Sequence, residues 1–322
     1  MRILGILLLI FLVFKLDYGQ IYSILRDVDF SQVLAAAFLI LPLIALKTLR
    51  WKVVLNAQGI HYGFVSAYLA YFASMYVGFF TPGRLGEFSK AIYVAKERQI
   101  SSGRAFSGVL ADRLFDLYTV FVISGIAMMN LYIKGSGWQL LFLAIMVIPV
   151  ILILNDTTYS IIQSVGSLLG GFSATFFSNK GWFSDMRYGL LSLSWISLFV
   201  SLILTIVAYG LYFFQCQILA FSLGLNLSIL QTAYVIALAG LVTLIPISIS
   251  GLGTREAVII FYLGNLGIQA DRALSFSLLV FIVFYLGTSL IGAIAWLIKP
   301  LPLSQTVESG TEIAQPQSSH EV

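Results

Sequence analysis

Two breaks inside long apolar runs constrain this chain more than any other feature. The first is Phe80-Thr-Pro-Gly-Arg-Leu-Gly-Glu-Phe-Ser-Lys90, where a Pro82-Gly83 pair stops one apolar helix. It then sets Arg84, Glu87 and Lys90 at three-residue spacing, on one helical face. The second is Pro246-Ile-Ser-Ile-Ser-Gly-Leu-Gly-Thr-Arg-Glu256, far downstream in similar apolar surroundings. Helices that break inside apolar runs, each break ending on an Arg and a Glu, read as a transport site at membrane depth.

The rest of the chain must supply the membrane scaffold, and its composition does. Of 322 residues, 59% are hydrophobic and 10% charged, against about 25% charged in a soluble domain. One core cannot hide that much apolar surface, so an all-α polytopic membrane protein follows. Unbroken rather than alternating apolar runs argue against a β-barrel. The net charge of +4 does not call for nucleic acid, because excess Lys and Arg in a membrane protein decorate cytoplasmic loops. One cysteine, Cys216, gives no disulfide framework. His61 and His320 form no metal-ligand cluster, and no nucleotide-binding loop is present, so neither metal nor cofactor is expected.

Taken in order, the expected spans are residues 3–16 (uncleaved and short), 33–49, 105–133, 138–155, 191–221 and 273–298. The broken segments are 64–80 with 84–95, and 229–245 with 257–268. Residues 159–172 are expected on the membrane surface, and residues 301–322 as a disordered cytoplasmic tail after a membrane domain of 1–300. If each broken segment spans fully, Lys96, Arg98 and Arg104 fall opposite Lys47, Arg50 and Lys52. If each is a re-entrant hairpin, nearly all basic residues share the cytoplasmic side. The positive-inside rule prefers the second arrangement: about six spans plus two re-entrant hairpins entering from opposite sides, an inverted repeat. Both termini are then cytoplasmic. Arg50-Trp51, at the end of a span, is expected at the membrane interface.

Eight charges lie inside or beside the apolar runs: Arg84, Lys90, Arg113 and Arg255 against Glu87, Asp112, Asp116 and Glu256. Each would cost about 2.5–3.5 kcal/mol at a lipid-exposed helix centre, so they must face one another or a wet cavity. Equal numbers permit a purely structural salt-bridge cluster, with Arg84–Glu87 and Arg113–Asp116 as neighbours on their helices. The functional reading is that arginines hold an anionic group, because the guanidinium fork matches phosphate. Helices restarting after each break also aim free N–H groups there. Gly83, Gly86, Gly251 and Gly253 allow tight turns and close approach, and Pro246 stops the incoming helix.

These residues resemble a family of integral-membrane flippases related to the transmembrane half of lysylphosphatidylglycerol synthases. The matching features are Arg50-Trp51, Pro82-Gly83-Arg84-Leu-Gly86-Glu87, Asp112-Arg113-x-x-Asp116 and Gly251-x-Gly253-x-Arg255-Glu256, in the family's order. Lys90 stands where Arg is more usual, and Ser250 where a second Gly is common. The resemblance implies translocation of phospholipids or glycolipids across a cell membrane, with membrane lipids as partners and a homo-oligomer or a lipid-synthesis protein as further candidates. Bifunctional members add a soluble aminoacyl-transferase domain. Here a short tail follows, so an enzyme is not expected. The rival readings are a membrane transferase acting on a lipid phosphate, with Asp112 or Asp116 as base or ligand, and an assembly partner of a lipid synthase.

Overall fold

The computed structural model describes residues 18–81, 83–132, 181–244 and 250–302. The expected spans at 3–16 and 138–155, the surface segment 159–172, Pro82, Pro246 and the tail beyond residue 302 lie outside them. Among the described residues every element is helical, as the apolar runs require. The helices are α1 (Tyr18–Arg26), α2 (Phe30–Phe38), α3 (Ile40–Ala57), α4 (Phe64–Phe79), α5 (Lys90–Arg98), α6 (Ser102–Tyr132), α7 (Trp182–Leu191), α8 (Trp195–Ser222), α9 (Ile229–Thr243), α10 (Thr254–Asn265), α11 (Ala270–Val280) and α12 (Gly287–Ile298). A 3₁₀ turn, Leu85–Ser89, precedes α5, and a π-helical turn, Phe281–Leu286, joins α11 to α12.

Among the described residues, three stretches are long and apolar enough to cross a bilayer: Phe30–Ala57, Trp195–Ser222 and Ala270–Ile298. Their outward faces are apolar, as lipid requires; Trp195, Phe199, Ile203 and Ile206 of α8 are all exposed. Local signals set the helix starts. Asp29 accepts the Ser31 N–H at 3.0 Å ahead of α2, Ser194 caps α8, and Ser228 with Gln231 forms a reciprocal capping box for α9. The expected span 33–49 is therefore longer, 28 residues from Phe30 to Ala57, with an irregularity at Leu39 between α2 and α3. Pro42 causes it, since a proline clashes with the carbonyl four residues earlier, here that of Phe38.

Both broken segments fold as helical hairpins. The chain leaves α4 and returns, after Gly83 and Arg84, through the 3₁₀ turn and α5. The legs finish where they began: Lys299 Nζ reaches the Tyr62 hydroxyl at 2.9 Å, the Ser66 carbonyl at 3.4 Å and Glu97 at 2.7 Å. In the second hairpin α9 packs on α10. Residues 224–227 and Gln231, at its start, share a recess with residues 266–269 and Arg272, at its finish. Arg272 lies near the start of the 29-residue stretch Ala270–Ile298 and Lys299 just past its end, about 40 Å apart at helical rise. The bases of the two hairpins therefore lie at opposite ends of the stretch Ala270–Ile298. Their tips meet where Ser250 Oγ donates to the Phe79 carbonyl at 2.7 Å.

Candidate functional site

The tips place the charged residues in two layers. The inner layer is wholly buried. Arg50 on α3 donates from Nε to Asp112 at 2.7 Å and from Nη1 to Asp116 at 2.9 Å, both on α6. Lys90, at the first turn of α5, meets the other Asp112 oxygen at 2.5 Å. The same ammonium lies 3.8 Å from the Tyr71 ring centroid and 5.0 Å from that of Trp51. Arg50, Trp51, Lys90 and Asp112 all have zero exposure. Arg50 and Trp51, expected at the membrane interface, are thus packed inside the protein and not on its outward face. With two carboxylates waiting on α6, Arg50 need not snorkel to headgroups, and Trp51 packs edge-on against Tyr62 and Tyr71.

The outer layer faces a cavity of about 400 Å³. Its charged lining residues, among those described, are Lys47, Arg84, Arg113 and Asp116. Arg84 pairs with Glu87 at 2.7 Å, as their spacing predicts. Arg113 pairs more closely with Glu87 than with Asp116, whose second oxygen is 3.9 Å away. Lys47 reaches Asp116 at 3.0 Å. Arg84, Arg113 and Lys47 keep 21%, 18% and 15% of their side chains exposed to the cavity side. The remaining wall is largely apolar and aromatic: Leu117, Val120, Phe213, Ile236, Leu244 and Phe284 among others. The cavity thus has a cationic end and an oily body.

The backbone fixes this arrangement at a cost. Gly83 and Arg84 both take left-handed φ, of 60° and 56°, and for arginine that conformation costs about 1–2 kcal/mol. At the other tip Ser250 has φ 51° and Gly251 φ 78°. A Cβ on Gly86 would lie 2.6 Å from the Val77 backbone, so only glycine lets the returning leg close against α4. Strain gathered at two facing tips points to function there rather than to scaffold.

Arg255 and Glu256 are built differently from the expectation. Arg255 is 1% exposed. It is paired with Glu256, bonded to Ser277, and held 4.9 Å from the ring centroids of both Phe281 and Tyr285. Glu256 also accepts the Gly253 N–H at 2.6 Å. The start of α10 is therefore capped by its own side chain, not held open for a ligand. At the first tip Thr81 Oγ1 accepts the Gly86 N–H at 2.7 Å, with the same effect. The structure brings Arg84, Arg113 and Asp116 to the cavity and sets Arg255 behind it, through Tyr285, whose ring also carries the Arg84 guanidinium at 5.2 Å.

Sequence reasoning missed Lys47 and Tyr285. Lys47 was grouped with the basic end of its span, although it stands one turn before Arg50 on the same face, which could have flagged it. Tyr285 carries no signal in the sequence, being one aromatic in an apolar run. Among the described residues no group of three or more His, Cys, Asp or Glu side chains is placed to hold a metal ion.

Residues 2–292 match the family model described as the lysylphosphatidylglycerol synthase TM region. The chain belongs to this family. Two relatives in it are similar along almost their whole length. A UPF0104 membrane protein of Methanocaldococcus jannaschii is 22% identical over 92% of this chain and 93% of its own. One of Methanothermobacter thermautotrophicus is 24% identical over 83% and 85%. Glycosyltransferase AglD of Haloferax volcanii is 27% identical over 42% of this chain and 22% of its own length. No solved structure matches the chain. The chain is an integral membrane protein by its family and its apolar helices.

Proposed function

We propose that this protein is a lipid translocator that carries an anionic headgroup between bilayer leaflets. The observation that carries the reading is the cavity between the hairpin tips, cationic at one end and apolar along its body. A headgroup phosphate binds Arg84, Arg113 and Lys47, while the acyl portion lies along Val120, Phe213 and Ile236. Arginine forks and a lysine point charge are the ordinary means of holding phosphate. A ligand with one charged end and a long apolar end matches such a site as neither a sugar nor a simple ion does.

Two hairpins entering from opposite ends suit alternating access, because rocking either tip exposes the cavity to one side. Glu87 and Asp116 serve as resident partners of the arginines and give way when a phosphate arrives. No step of this cycle alters the lipid covalently. The test is reconstitution in liposomes with headgroup-labelled lipids, following access of an impermeant quencher. Wild type should equilibrate an anionic lipid between leaflets, and Arg84→Ala and Arg113→Ala should lose it at equal protein density. Translocation unaffected by both substitutions would sink the proposed site.

The likeness to glycosyltransferase AglD supports a second reading, in which the same site presents a lipid phosphate for a transfer reaction. A chemically changed lipid in the same liposomes would favour it, and an unchanged lipid on the opposite leaflet favours translocation.

A further inference from the structure

We propose that the preferred ligand is a lipid phosphate monoester, carrying two negative charges, and that Lys47 sets this preference. The inference rests on the reading of the cavity as a lipid-phosphate site. Among the described residues, the joined ion pairs contain five cations, Lys47, Arg50, Arg84, Lys90 and Arg113, against three carboxylates, Glu87, Asp112 and Asp116. That leaves an excess of two positive charges. The eight charges expected from sequence balanced; Lys47 and Arg50 are what the balance lacked, and Arg255 with Glu256 forms a separate neutral pair.

A net charge inside apolar surroundings is costly unless something neutralises it. The excess finds its outlet at the cavity, because Arg50 and Lys90 are sealed at zero exposure whereas Lys47, Arg84 and Arg113 reach the lining. A phosphodiester brings one negative charge and two free oxygens, so it leaves one cation uncompensated. A monoester brings two charges and three free oxygens. Three cations from three separate elements converge here: Lys47 from α3, Arg84 from the first tip and Arg113 from α6. Lys47 is the member with most to gain. Its ammonium has three donors, one on Asp116 at 3.0 Å, and it otherwise faces the Tyr209 ring at 4.9 Å.

The experiment compares dioleoyl phosphatidic acid with the same lipid methylated on its phosphate, which differs by one charge and one free oxygen. Binding to the purified full chain in detergent is read as ligand-dependent thermal stabilisation at about pH 7, above the second phosphate pKa of about 6. Wild type should bind the monoester about tenfold more tightly than the methyl ester, as expected for one further charge-assisted contact away from bulk water. Lys47→Gln should bring the two within about twofold, chiefly by weakening the monoester, and Lys47→Arg should keep the preference. Equal binding of the two lipids to wild type would overturn the inference and leave the lipid-phosphate site standing. A preference that survives Lys47→Gln would remove Lys47 as its cause. Binding of neither lipid would overturn the lipid-phosphate reading itself. The wild-type comparison decides the first point whichever variant folds.

Discussion

At the scale of single residues, the two layers of charge separate stability from function. Among the described residues, Asp112 is the sole carboxylate meeting Lys90 and one of two meeting Arg50; Asp112, Lys90 and Arg50 have zero exposure. Asp112→Asn leaves two buried cations short of a partner, and breaking such a pair costs about 3–5 kcal/mol. A clear fall in the thermal midpoint of the purified protein is the expected result, with translocation lost because the protein unfolds. Arg84 sits at the cavity with 21% of its side chain exposed, and Glu87 keeps Arg113 when it goes. Arg84→Ala should therefore cost about 1 kcal/mol or less and still abolish translocation by well-folded protein. If instead it removes the protein from the membrane fraction, Arg84 serves the fold and not the ligand. The sequence made the charged residues legible as a set because apolar runs make every charge conspicuous. It did not separate the layers, because the partner of Arg50 lies sixty-two residues away on α6 and no spacing rule reaches that far.

At the scale of elements, glycines at the tips carry the close approaches that single helices avoid. Gly86→Ala would drive a methyl group into the Val77 backbone at 2.6 Å, an overpacking costing about 1–3 kcal/mol. Gly210→Ala, in the middle of α8 with nothing within 4 Å of an added Cβ, should instead stabilise by up to about 1 kcal/mol through helix propensity. Thermal midpoints moving in opposite directions are the expected outcome; two shifts of the same sign would mean that the tip is looser than its contacts indicate. The breaks themselves were legible, because Pro and Gly act locally on φ and on hydrogen bonding. The expected helix at 84–95 resolves into a 3₁₀ turn and α5, because Thr81 takes the Gly86 N–H and tightens the restart. The π-helical turn at 281–286 was not legible. It lies beside both arginines of the tips, with Tyr285 beneath each guanidinium, so its cause is tertiary. Such turns occur often at functional sites.

At the scale of the whole molecule, the hairpins behave as two opposed gates only if their tips can part. Among the described residues, the contacts that join them are Ser250 Oγ on the Phe79 carbonyl, and Leu244 O 3.4 Å from where a Cβ on Gly83 would stand. The base of the first hairpin is held by more bonds, through Lys299 to Tyr62, Ser66 and Glu97. A gate hinged at its base and lightly latched at its tip should open at the tip. Ser250→Ala removes the latch hydrogen bond, worth about 1 kcal/mol, and shifts the open population by about fivefold. Hydrogen exchange reads this directly. The Thr81 and Arg84 amides are bonded within the first tip, to Gly78 and Thr81, and should exchange about fivefold faster in Ser250→Ala. Amides of α2, which contributes no residue to the cavity lining, should be unchanged. Faster exchange along α5 as well would mean that the whole returning leg swings from its base. Unchanged exchange at the tip would mean that the tips part rarely or not at all, and a rocking mechanism would then need a different moving element, with the π-helical turn between α11 and α12 the next to test.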